Sequence, residues 1–177
     1  MILNDKYSFM FFAEPHTASR AMSRMLWEIE GSESVGEHHM THASGVERGL
    51  LPESGHLRFA VIRDPRELIA SRIAHYQNVF RDMASGPSPD EIVERYVTAH
   101  CVRKTYFEHD YVDRKIRYDR LEPELYALLE ELGVDPIPKL GRNPHETTKG
   151  RKHWSEYFTE EQNARVLESI PEVQQFM

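Results

Sequence analysis

Two stretches of this chain repeat one pattern, an apolar run that breaks into a tight turn and resumes at helical spacing. The first is Tyr7 to Ala13, followed by Glu14-Pro15-His16-Thr17-Ala18-Ser19-Arg20. The second is Phe59-Ala60-Val61-Ile62, followed by Arg63-Asp64-Pro65 and running on to Ser71. Apolar runs without alternation suit strands covered on both faces, so each stretch predicts strand, turn and helix. Strands alternating with helices predict an α/β fold: a three-layer arrangement in which a mainly parallel sheet is flanked by helices. Right-handed crossovers would then leave a ligand site at the carboxyl ends of the strands.

The turns carry the chemistry. The first N–H groups of a helix have no partners within it, so the start of the helix after Ala18 can hold a phosphate or sulfate. Ser19 and Arg20 stand there to add donors. In the second unit Arg63 closes the strand and Ser71 follows eight residues later. Arg63 offers a planar fork matched to an oxyanion, and Ser71 adds a hydroxyl. A ligand with an anionic group at each end would use both.

Here the chain resembles the sulfotransferases that use 3′-phosphoadenosine 5′-phosphosulfate (PAPS). Pro15-His16-Thr17-Ala18-Ser19-Arg20 occupies the frame of their Pro-Lys-x-Gly-Thr-Thr or Lys-x-Gly-Thr-Arg loop, and Arg63, Pro65 and Ser71 match their Arg-x-Pro motif with its later Ser. Lys115 to Leu121 and then Leu132-Gly133-Val134 resemble a third family stretch. Thr148-Lys149-Gly150-Arg151-Lys152-His153-Trp154, with Tyr157-Phe158-Thr159, is similar to the loop that closes over the 3′-phosphate. The resemblance spans nearly the whole chain. It implies a P-loop nucleotide-kinase-like architecture and transfer of a sulfuryl group from PAPS to a hydroxyl or amine, leaving PAP.

Residue by residue, the resemblance places the 5′-phosphosulfate on Pro15, Thr17, Ala18, Ser19 and Arg20. It places the 3′-phosphate on Arg63, Ser71, Lys149, Gly150 and Arg151. Two positions depart from the family: His16 stands where it has Lys, and Ala18 where it has Gly. A free imidazole has a pKa of about 6.5, and neighbouring phosphates favour its charged form, so His16 can still donate to the leaving oxygen. Thr41-His42 resembles the family's Thr-His, which makes His42 the expected base for the acceptor proton. With ten histidines in the chain, His39 is a second choice. His38 and His42 have the spacing of a helical metal pair, but no His-Glu-x-x-His pattern joins them, and no metal is expected.

Composition narrows the alternatives. A chain of 177 residues fits one domain, residues 1–177, and is short for a sulfotransferase. The missing length belongs to acceptor-binding loops, which predicts an acceptor site that is open or completed by another subunit of a homo-oligomer. The acceptor itself, a small molecule or a glycan, is not legible. A net charge of −7 argues against general nucleic-acid binding. The lone Cys101 and the short apolar runs predict a cytoplasmic protein with no membrane span. Two other readings stay open: a non-catalytic relative that binds PAP, PAPS or sulfate, and an ATP-dependent kinase, which the missing Gly-x-x-x-x-Gly-Lys-Ser/Thr loop disfavours.

Among the elements expected elsewhere are a short strand at Ser34 to Gly36 and a loop with a helical turn from Ala43 to Gly55. Helices are expected up to about Lys104, capped by Asp90 or Ser88, from Pro123 to Leu132, ended by Gly133, and from Glu160 to Ser169. Leu57 to Ile62 and Ile116 to Tyr118 should be strands, and Val134 to Lys149 mostly loop.

Overall fold

A computed structural model describes residues 1–40, 42–52, 55–79, 88–98, 111–141 and 152–176. Its contacts divide the chain into two compact units. One comprises Met1–Ile62 with His109–Asn143, the other Arg63–Glu108 with Pro144–Met177.

The first unit is built on a mixed sheet. Its strands are β1 (Ile2–Asn4), β2 (Phe9–Phe12), β3 (Ser32–Ser34), β4 (Leu57–Ile62) and β5 (Arg114–Arg117), in the spatial order β3-β1-β2-β4-β5. The ladders β2–β4 and β4–β5 are parallel, while β1 pairs antiparallel with both β2 and β3. The expected sheet was mainly parallel, and the hairpin at the start of the chain corrects it. Only four residues separate β1 from β2, a connection that permits antiparallel pairing alone. Asn4 locks that corner. Its buried amide donates to the Glu30 carbonyl (3.1 Å) and Ser32 Oγ (2.8 Å) and accepts from the Tyr7 N–H (2.8 Å). This anchoring starts β3 at Ser32 rather than Ser34.

The strand β2 shows why the apolar run is unbroken. Phe9 and Phe11 enter one core with Met22, Met25, Leu26, Phe59, Val61, Ile116, Leu125 and Leu129, while Met10 and Phe12 enter another with Leu3, Met40 and Ala60. Alternate side chains thus feed both faces of the sheet. One face is covered by α1 (Ser19–Trp27) and α5 (Leu121–Glu131), the other by the segment around α2 (His42–Glu47). Burying each of these phenylalanines contributes about 1.5–3 kcal/mol. The edge strands Ser-Glu-Ser and Arg-Lys-Ile-Arg are polar, which suppresses pairing with other chains.

The termination of α5 is local chemistry. Gly133, at φ +74°, donates to the Glu130 carbonyl, Val134 donates to that of Leu129, and Val134 and Leu129 share one core. This is a Schellman close with its apolar contact.

The second unit packs α3 (Pro65–Val79), α4 (Pro89–Thr98) and α6 (Glu160–Ser169) around Leu68, Ile69, Ile73, Ile92, Val93, Val166 and Val173. Both later helices begin with reciprocal caps. Ser88 and Glu91 bond each other's backbone at α4, and Thr159 and Gln162 do so at α6. Of the two cap candidates for α4, Ser88 holds the position. Arg165 bridges to Glu94 with two contacts of 3.0 Å, tying α6 to α4.

Candidate functional site

The strands β2 and β4 are parallel neighbours, with Phe12 opposite Ala60, so their carboxyl ends lie at one edge of the sheet. From β2 the chain enters the loop Glu14–Ala18. Here the backbone is strained: His16 and Ala18 both sit at positive φ, +63° and +61°. Non-glycine residues in that region cost energy and persist where the surroundings hold them. Thr17 does part of the holding, since its buried Oγ1 donates to the Glu14 carbonyl at 2.8 Å. Ala18 is the N-cap of α1 and provides no side-chain cap, and the first turn carries no acidic residue. The start of α1 therefore turns N–H donors and a positive dipole end toward whatever anion meets it. Ser19 is buried at this point and Arg20 is exposed. Pro15 and His16 are half-buried.

Two histidines lie beside this loop. The His38 pKa is pushed down to about 4, first by burial and then by His39, the amino terminus and Arg20. His39 packs edge-on against His38, with centroids 4.3 Å apart. Nδ1 of His39 lies 2.6 Å from the Ala13 carbonyl, an oxygen that only accepts, so Nδ1 is the donor.

His42 has a different setting. Its ring stacks on Tyr111, with centroids 4.4 Å apart and planes 10° from parallel, and lies 5.9 Å from Phe12. Burial, and then Arg58, lower its pKa. The residue is packed as an aromatic. Thr41, its partner in the motif, lies outside the described residues, as do Lys149, Gly150 and Arg151.

Sequence reasoning assigned no role to Glu14 or Tyr111. Glu14 is 9% exposed, and the Tyr111 hydroxyl donates to its Oε1 at 3.4 Å. Burial pushes the Glu14 carboxyl up to about 7 despite that bond, and burial, with Glu14 beside it, raises Tyr111. One signal was legible: an acidic residue directly after an apolar strand is out of place unless held there. Its partner stands 97 residues away, beyond any local pattern.

In the second unit, Arg63 and Ser71 are 4% and 2% exposed. Arg63 bonds Glu67 Oε2 at 3.2 Å, and Nε2 of His153 stands 3.8 Å from the other oxygen of Glu67. Burial raises the Glu67 pKa, with His153 opposing that shift. Asp64 grips Arg66 through both oxygens, and the Arg66 guanidinium lies 4.3 Å from the centre of the Trp154 ring. Trp154 is half-buried and serves as a platform for that cation. Phe158 packs against the core of this unit.

Among the described residues, no three His, Cys, Asp or Glu side chains are placed to hold a metal ion. No helix among them is long and apolar enough to cross a membrane. No protein-family model, curated protein or solved structure matches this chain.

Proposed function

We propose that the protein is a PAPS-dependent sulfotransferase of P-loop-like design, acting on a hydroxyl or amine acceptor. The observation that carries this reading is the loop after β2, where two left-handed residues deliver the uncapped start of α1 with Ser19 buried at its first position. Phosphate-binding turns rely on the same device, backbone N–H donors at the mouth of a helix beside a strand end.

In this reading the 5′-phosphosulfate rests on the N–H groups of residues 17 to 20, with Arg20 beside it. His16, charged by the adjoining phosphates, donates to the bridging oxygen as the sulfur leaves. Arg63, Ser71, Lys149, Gly150 and Arg151 take the 3′-phosphate, as the family resemblance assigns them. Catalysis of this kind rests on positioning and charge stabilisation, as in phosphoryl transfer.

A second reading, a non-catalytic module that binds PAP, PAPS or sulfate, draws on two observations. Arg63 is engaged by Glu67, and His16 and Ala18 replace the Lys and Gly of the family loop. Thermal shift separates the possibilities. PAP should raise the melting temperature, and adenosine 5′-phosphosulfate, which lacks the 3′-phosphate, should raise it far less. Equal shifts remove Arg63 and Ser71 from the assignment, and no shift with either removes the nucleotide.

A further inference from the structure

We propose that Glu14 accepts the proton of the acceptor hydroxyl during sulfuryl transfer, with Tyr111 as the residue that positions its carboxylate. This rests on the reading above and replaces His42 as the base.

Placement comes first. Glu14 follows β2 directly, at the carboxyl edge of the sheet, in the loop that opens onto α1. Its backbone is fixed on both sides: His39 holds the Ala13 carbonyl at 2.6 Å, and Thr17 holds the carbonyl of Glu14 itself at 2.8 Å. The side chain meets the Tyr111 hydroxyl, and Tyr111 is clamped in turn, stacked on His42 and edge-on to Phe12 at 5.1 Å. Two packed rings thus hold the Tyr111 ring, and its hydroxyl meets one carboxylate. A functional group needs support of this kind, its orientation set by neighbours that are themselves packed.

Burial supplies the second argument. Glu14, Thr17 and Ser19 are all buried within six residues of chain, and Glu14 is the buried carboxylate among the described residues. A carboxylate resists leaving water, and its surroundings here hold the proton affinity near neutrality, where a general base works best. The groups around it are Tyr111, then His42 of α2 behind that ring, and His39 at the preceding carbonyl.

The step balances. The acceptor oxygen bonds to sulfur while the bond from sulfur to the 5′-phosphate oxygen breaks, and the electron pair leaves with the phosphate. The acceptor's proton passes to Glu14 and then to solvent. The products are a sulfate ester and PAP.

The test uses the full chain, PAPS labelled with sulfur-35, and a small-molecule extract as the source of hydroxyl acceptors, over pH 5 to 9. The parent should show turnover that rises along a limb near pH 7. Glu14→Gln should lose about 100-fold or more of it and lose the limb, while keeping the parent's thermal shift with PAP. Tyr111→Phe should keep the PAP shift and move the limb. Turnover like the parent's in Glu14→Gln, or a limb that persists there, overturns the proposal. So does a parent that shifts with PAP and transfers no label. A parent with no PAP shift overturns the sulfotransferase reading and this inference with it. Should Glu14→Gln not fold, the decision passes to Tyr111→Phe, and an unmoved limb overturns the role of Glu14.

Discussion

At the scale of single residues, Glu14 makes a claim about stability as well as chemistry. Its carboxyl is held near pH 7 in the folded chain against about 4.5 when exposed, so the native state binds the proton more tightly than the unfolded state. Stability then falls as pH rises from about 4.5 to 7, and the full penalty stands above 7. A shift of this size corresponds to something on the order of 3 kcal/mol. Glu14→Gln, neutral at every pH, should therefore melt several degrees above the parent at pH 8 and converge with it near pH 4.5. Equal melting curves at pH 8 would show that the carboxylate is already compensated. Ala18 yields a second prediction. Its φ of +61° is one that glycine adopts without strain, so Ala18→Gly should stabilise by about 1 kcal/mol and raise the melting temperature by roughly 2–4 °C. A lower melting temperature would mean that the Cβ contributes packing here.

At the scale of elements, legibility followed the range of the cause. The strand Leu57–Ile62 and the helix Glu160–Ser169 coincide with their expected bounds, because an apolar run and a Thr-x-x-Gln cap are each complete within a few residues. Gly133 ended its helix as read, for the same reason. The short helix His42–Glu47 was legible only as a helical turn. It has little apolar periodicity of its own, and Gly45 lies so close to Leu51 that a Cβ there would meet Leu51 Cδ2 at 2.8 Å. Glycine is a poor helix former, and its presence masks the helix in the sequence. In the loop after β2, the turn and the helix start at Ser19 were readable from residue types. The clamping of Tyr111 by His42 and Phe12 was not, since those rings come from three distant segments.

At the scale of the whole molecule, charge separates specific from general anion binding. The chain carries −7 overall while Arg20, Arg24, Arg63, Arg66 and Arg72 cluster in or beside the two turns. A protein of this balance should pass through heparin and ignore random-sequence DNA at about 150 mM salt, where long-range attraction is screened within roughly 8 Å. Retention on heparin at that salt would point to a polyanion partner instead of a small nucleotide. The amino-acid order alone was enough for the α/β character, for the parallel pair built on the two apolar runs, for the helix start after Thr159 and for the stop at Gly133. Each of those follows from hydrophobic spacing or a cap within a handful of neighbours. Tertiary packing alone settled that β1 turns the sheet mixed, that Glu67 occupies Arg63, that Trp154 backs Arg66, and that Tyr111 reaches Glu14. These depend on which distant side chains burial brings within a few ångströms, and no periodicity along the chain records that distance.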